Sequence, residues 1–321
     1  MTRRGLVFGA GGVLGFTWSV AALHAWEQET GLDARDADIR VGTSAGSILA
    51  ALLGLGVSTG TILRHQLGTS RADDRDVDWN YDLDGGGTRP PLPRMGLGSP
   101  RLLISAVRHP GRLPMLAAMS GLLPRGQASL TPLERMLDRL SDGVTDWPDR
   151  DTWIVAMDYL TGDRAVFGRP GSLPARLSEA VQASCAIPGW YHPIAIGSRS
   201  YVDGGALSST SVELLAGAGL DEVIVIAPMV SRYYDRPRSP IAKLERRWRR
   251  LTTRRVLREI AVVRAGDTHV RLLCPGPVDL AAMGANLMDH RHRRTVLEIA
   301  LRSAGEQLTG QQLTDTASDA S

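Results

Sequence analysis

The chain has 321 residues, of which 43% are apolar and 22% charged, with a formal net charge of +3. That balance excludes disordered and fibrous classes, and no uninterrupted apolar run reaches the ~18–20 residues of a membrane span. The charge is unevenly placed. Arg236 to Arg258 holds ten basic residues and one acid, Glu245, so the rest of the chain is net acidic. One basic segment without an accompanying binding motif argues against nucleic acid as a partner. Two cysteines, Cys185 and Cys274, make no disulfide framework and stand in no metal-ligand spacing. A reducing, cytoplasmic setting is the simpler expectation.

Met1 to Arg4 is basic and Gly5 to Ala22 largely apolar, the outline of a secretory signal. Gly9, Gly11, Gly12 and Gly15 interrupt that run, and each would lower helix propensity by about 1 kcal/mol. The segment is therefore read as part of the mature fold. Leu6–Phe8 predicts a strand, 9–15 a glycine loop and 16–29 a helix. The pattern repeats with a strand at 39–41, a tight turn at 42–46 and a helix at 47–55. Two strand-turn-helix units in fifty residues predict an α/β sheet with parallel neighbours.

From about 68 to 130 the pattern turns irregular: an acidic stretch from Asp73 to Asp84, a Gly/Pro-rich run, then apolar pieces at 102–107 and 113–123. Such a segment is either a lid or a poorly ordered insertion. Beyond it, strands are predicted at 153–157 and 164–167 and a helix at 177–185. A hairpin is predicted from 191–196 and 199–202 about Gly197-Ser198. A helix at 212–218 and strands at 222–226 and 270–273 follow. Residues 1–310 read as one domain carrying the 68–130 insertion, and 311–321 as a flexible tail.

Gly42-Thr43-Ser44-Ala45-Gly46 is a G-x-S-x-G pentapeptide between a predicted strand and helix, the setting in which a serine projects as a nucleophile. Two bases are conceivable. His192, His269, His290 and His292 follow the serine, as a hydrolase triad requires, although only one strand precedes the serine-bearing strand. The other candidate is Asp203 of Asp203-Gly204-Gly205, placed at a strand end, where partial burial would raise its pKa toward that of a useful base; an ordinary Asx turn explains the same residues. The Gly9–Gly15 loop exposes N–H groups to an anion, either a dinucleotide pyrophosphate or an acyl oxyanion. Its spacing fits G-x-G-x-x-G poorly, which disfavours a dinucleotide-binding oxidoreductase.

In this order, the glycine loop, the G-T-S-A-G turn and the distal D-G-G resemble the patatin-like phospholipases. Ala183-Ser184-Cys185-Ala186-Ile187-Pro188-Gly189, leading through a hairpin to Asp203, is similar too. The resemblance covers about 6–56 and 153–227. It implies a three-layer α/β/α sandwich with a mostly parallel central sheet, hydrolysing lipid carboxylic esters with a Ser–Asp dyad and neither metal nor cofactor. Ser44 would be the nucleophile, Asp203 the base that takes its proton and later activates water, and the N–H groups near Gly11, Gly12 and Val13 the oxyanion hole. Gly9, Gly15, Gly42, Gly46, Gly204 and Gly205 would support these turns. Two positions depart from the family pattern: Leu14 stands where an Arg or Lys is usual, and Ala10 where a glycine is. Main-chain oxyanion donors survive both changes. Losing the cation weakens the case for an anionic phospholipid head group and leaves lysolipids, neutral lipids and simple esters open. A catalytically weak lipid-binding protein of the same fold is the competing expectation.

Ile241, Leu244, Trp248, Leu251, Val256, Ile260 and Val263 recur at helical spacing, with Arg246, Arg247, Arg249, Arg250, Arg254 and Arg258 on the opposite face. The helix at 241–263 is expected to pack its apolar face on the core and to hold its arginines in solvent. The competing expectation is that it docks on anionic membrane. Oligomeric state is not legible.

Overall fold

A computed structural model describes residues 2–319 except 82–83, 85–86, 93–95, 109–110, 112, 142–146, 234–236 and 238, with the side chains of the last helix described as far as Leu308. Eight strands form one sheet: β1 (Arg4–Phe8), β2 (Ile39–Thr43), β3 (Asp151–Asp158), β4 (Arg164–Phe167), β5 (Ile194–Ile196), β6 (Arg199–Asp203), β7 (Glu222–Ile226) and β8 (His269–Leu273). Their order is β5-β6-β3-β2-β1-β7-β8, with β4 also paired to β3. β3, β2, β1, β7 and β8 run parallel, and the β5–β6 hairpin and β4 join antiparallel. The expected mostly parallel sheet between helical layers is the architecture found.

Alternation along the strands explains the layers. Side chains of a strand point to opposite faces in turn, so Leu6 and Phe8 enter one core and Val7 another. The first core is covered by α1 (Gly12–Thr30), α2 (Ala45–Gly54), α3 (Thr59–Leu67), α6 (Thr131–Leu140), α7 (Leu177–Cys185) and α10 (Arg293–Asp319). The second face is covered by α8 (Pro240–Arg264), which contributes Val256, Ile260 and Val263. Between α3 and α6 lie α4 (Pro100–Arg108) and α5 (Met115–Ser120). Leu102 and Ala117 from these pack with Met157, Tyr159 and Val202 in a smaller cluster. α9 (Pro277–Met283) precedes α10.

Several elements differ from expectation. α3 and α6 were not predicted, although Leu133, Met136, Leu137 and Leu140 are buried at helical spacing. Residues 212–215 form one 3₁₀ turn, closed when Ala216 N–H bonds the Glu213 carbonyl, in place of a helix to 218. The expected tail from 311 lies in the continuation of α10 to Asp319, beyond the described side chains. Parts of the 68–130 segment fall outside the described residues.

The largest correction concerns α8. Its C-terminal half buries Val256, Ile260 and Val263 as expected, but its N-terminal half is turned around. Arg246 and Arg249 are 6% and 1% exposed, whereas Ile241, Leu244, Trp248 and Leu251 are 71%, 69%, 46% and 66% exposed. The surface facing it presents the Pro228 and Leu280 carbonyls, which only donors can satisfy. Arg249 donates to the Pro228 carbonyl at 2.5 Å and Arg246 to that of Leu280 at 3.2 Å. Glu245 is ion-paired with both guanidinium groups and offsets one of their two charges. A buried charge is tolerated only when so paired and hydrogen-bonded.

Candidate active site

The parallel strands deliver the site to the carboxyl edge of the sheet, where α/β folds characteristically bind ligands. β2 ends at Thr43, and Ser44 follows at φ 54°, ψ −127° before α2 begins. A serine in this region is strained by about 1–3 kcal/mol. The turn forms because its flanking glycines permit contact no other residue would. A Cβ on Gly46 would collide with the Phe8 carbonyl, and one on Gly42 with the backbone of Ser47 and Gly46. The turn is held from beneath as well. Ser44 N–H donates to Ser184 Oγ at 2.8 Å, and Ser184 Oγ donates to the Val155 carbonyl of β3 at 2.6 Å. The Ser44 carbonyl accepts from Ser47 Oγ at 2.6 Å and from Cys185 Sγ at 3.3 Å.

Asp203 closes β6 opposite Ala156 of β3 and is buried. Its backbone N–H reaches the Ala186 carbonyl at 3.0 Å. Burial lifts its carboxyl to about 6; a hydrogen bond from the Ser44 side chain and one from Gly205 N–H, at 2.7 Å, oppose that rise. Gly204 sits against the Val155 carbonyl, where a side chain has no room. Ser44 and Asp203, 159 positions apart in sequence, are therefore in contact.

In the glycine loop, hydrogen bonding singles out three donors. Gly9 N–H bonds the Ile226 carbonyl, Ala10 N–H that of Ser209, Leu14 N–H that of Leu287 and Gly15 N–H that of Gly11, at 2.7–2.9 Å. Among the described residues, the N–H groups of Gly11, Gly12 and Val13 have no such protein acceptor. They open α1, where the helix dipole favours negative charge. Gly12 adopts φ +59°, a left-handed conformation suited to glycine. Gly11 and Gly15 let Pro228 pack directly on the loop.

Gly12, Val13 and Ser44 share one cavity of about 750 Å³, counted to its open mouth. Phe16, Ile48 and Leu52 continue its wall from α1 and α2, and Ile62, Leu133 and Met136 reach it from α3 and α6. Val77, Trp79 and Tyr81, every second residue of the acidic stretch, line it too, as do Cys185, Ile187 and Tyr191. These wall residues are what sequence reading missed. The i, i+2 alternation at 77–81 was the available signal. Burial pushes the Cys185 thiol well above its ordinary pKa, with the nearby Asp203 carboxylate adding to the rise. It is thus a neutral donor rather than a nucleophile.

The histidines lie elsewhere. None lines the cavity, and His269 begins β8 at the amino edge, opposite the edge that carries Ser44. His192, His290 and His292 are on loop and turn segments, with His292 Nδ1 3.3 Å from the Ala282 carbonyl. Leu14 is fully buried in the first core. Among the described residues no cluster of three metal-ligating side chains converges, and no helix is long and apolar enough to cross a membrane.

A family model described as patatin-like phospholipase matches residues 6–216. Among solved structures, VipD from Legionella pneumophila is similar at 12% identity and a TM-score of 0.39, over 94% of this chain and 67% of that one. The type III effector protein ExoU is similar at 15% identity and 0.37, over 97% and 54%. A heterodimeric ExoU–SpcU complex from the Pseudomonas aeruginosa type III secretion system is similar at 15% and 0.33, over 100% and 63%. The chain spans about half to two thirds of the length of these structures.

Proposed function

This chain belongs to the patatin-like phospholipase family, a family of lipid ester hydrolases, and we propose that it cleaves lipid carboxylic esters through an acyl-enzyme on Ser44 with Asp203 as the only protein base. Contact between a strained serine and a buried aspartate whose carboxyl sits at about 6 is the observation that carries this reading. Near neutral pH Asp203 is ionised and close enough in pKa to its surroundings to take up a proton. The Ser44 hydroxyl gives its proton to Asp203 as Oγ attacks the ester carbonyl. The carbonyl oxygen, now carrying the negative charge, is received by the open N–H groups of Gly11, Gly12 and Val13. Collapse expels the alcohol, protonated by Asp203, and leaves the acyl group on Oγ. Asp203 then deprotonates the water that releases the fatty acid.

The apolar cavity supports an acyl chain as the group held next to Ser44. With a buried leucine at position 14 the loop offers no side-chain cation, so neutral glycerides or simple esters are the better substrates by this argument, and lysolipids stay open. A fluorophosphonate probe, with short- and long-chain p-nitrophenyl esters, tests the proposal. Labelling and turnover are expected in the wild type, and both should vanish in Ser44→Ala. Undiminished hydrolysis by Ser44→Ala overturns it. A wild type that binds fatty acid yet neither labels nor turns over would instead be a lipid-binding protein.

A further inference from the structure

We infer that the exposed N-terminal half of α8 is a docking surface for an anionic lipid bilayer, set at the same edge of the sheet as Ser44. At 100° per residue, Ile241, Leu244, Trp248 and Leu251 fall within an arc of about 80°, and the strip they form is about 15 Å long. Each is exposed. Lys243, Arg247, Arg250, Arg254 and Arg258 occupy the adjoining arc and are also exposed. The remaining arc, from Arg246 through Arg249 and Thr253 to Val256, Ile260 and Val263, is the one buried against the protein. An apolar strip beside a basic strip, with Trp248 within it, is how a helix lies in a bilayer interface.

This pattern is not an uncovered core face. The helix has already satisfied its inner side with buried arginines, and those arginines fix the rotation that turns the leucines and the tryptophan outward. Position follows from the same bonds. Arg249 holds the carbonyl of Pro228, two residues beyond the end of β7, while Arg264 donates to the Val270 carbonyl at the start of β8, at 2.6 Å. The helix therefore descends from the carboxyl edge of the sheet to its amino edge. The turns from 241 to 248 stand at the carboxyl edge, where β2 delivers Ser44.

Charge selects the occupant. Between Arg236 and Arg258 the chain is strongly basic, while the rest of the chain is net acidic, so an anionic surface is drawn to this face. A second copy of the chain is disfavoured, because pairing two such strips brings two rows of cations together. The inference goes beyond the hydrolase reading, since binding at this face needs no turnover.

Co-sedimentation of the full chain carrying Ser44→Ala tests it, with vesicles of phosphatidylcholine alone or mixed with phosphatidylserine. Binding is expected only to the mixed vesicles and should weaken as salt is raised. Lys243→Glu with Arg247→Glu and Arg254→Glu should lower apparent affinity at least about tenfold, and Leu244→Ser with Trp248→Ser and Leu251→Ser should abolish sedimentation. With Ser44 restored, both triple variants should hydrolyse soluble p-nitrophenyl butyrate like the wild type. Equal binding to both vesicle types overturns the inference, as does an apolar-strip variant that still sediments. Light scattering that finds a wild-type dimer, dissociated by the apolar-strip variant, would assign the face to a second copy. Because vesicle binding is read on the Ser44→Ala chain, its failure leaves the hydrolase proposal standing.

Discussion

The turns after β1 and β2 are neighbours at one edge of the sheet, both glycine-rich and both opening a helix, yet they spend their strain differently. In the first, the left-handed residue is Gly12 at φ +59°, which accepts it without penalty. In the second it is Ser44 at φ 54°, where a side chain is carried in a backbone conformation that favours glycine, as the proposed nucleophile requires. The first turn offers only backbone donors and needs no side chain; the second offers one side chain and needs its backbone clamped. Ser184 and Cys185 supply that clamp. On the proposed mechanism, the difference teaches that an unfavourable backbone is kept where chemistry requires a side chain and is given to glycine where it does not.

The largest expected effect breaks the second turn. Ser44→Gly removes the hydroxyl and relieves the strain together, so ester turnover should fall by about 10⁴-fold or more, while the melting temperature rises by an amount worth about 1 kcal/mol. A variant less stable than the wild type would show that the φ of Ser44 stores no strain. Asp203→Asn should lower kcat by about 10²- to 10⁴-fold, with the probe-binding cavity intact. In the wild type, kcat should rise with pH through a single ionisation near 6, the value to which Asp203 is raised. Stability runs the opposite way. A raised carboxyl binds its proton more tightly when folded, so its contribution is complete below about 3.9 and is lost as pH climbs to about 6, on the order of 3 kcal/mol. Denaturant titrations across that interval should show the slope, and Asp203→Asn should remove it.

Smaller effects sharpen the first turn. Gly12→Ala puts a Cβ at positive φ beside Met288 and the Leu287 carbonyl. It should cost about 1–2 kcal/mol of stability and, on the proposal that the loop's donors act on the oxyanion rather than on the bound ester, depress kcat more than KM. Ser184→Ala should be milder: the Ser44 N–H loses its acceptor, about 1–3 kcal/mol in stability, with probe labelling slowed but present. Labelling at the wild-type rate in Ser184→Ala would show that the clamp does not position Oγ.

Much of this was legible before the fold was seen. Strands at 164–167 and 222–226 and the helix at 177–185 have the bounds expected, because turn residues or an abrupt change of pattern flank each. Ser44 and Asp203 were found by motif, and their contact is a consequence of β2 and β6 flanking β3. What was missed has physical causes. α3 and α6 were passed over as a preamble and a remainder of the irregular segment, although α6 carries a regular apolar stripe. The cavity wall draws on seven separate segments, and no local pattern announces such convergence. α8 misled most, because periodicity reports that two faces differ and not which one the Pro228 and Leu280 carbonyls will accept. Arg246 and Arg249 are inside since donors were needed there.

One feature of the sheet bears on how the chain comes to be folded. β1 is central, yet its two partners are far apart in sequence: Ile39 to Gly42 on one side and Glu222 to Ile226 on the other. During synthesis at about 5–20 residues per second, roughly 10–40 s separate the emergence of β1 from that of β7. Throughout that interval the side of β1 that will pair with β7 has no partner strand, and the glycine loop still lacks its Ile226 anchor. Ser44, Asp203 and the family match at 6–216 all precede β7. A nascent chain thus holds both proposed reacting groups before it holds the strand that closes the sheet, and a fragment ending at 216 should aggregate through that open edge rather than catalyse.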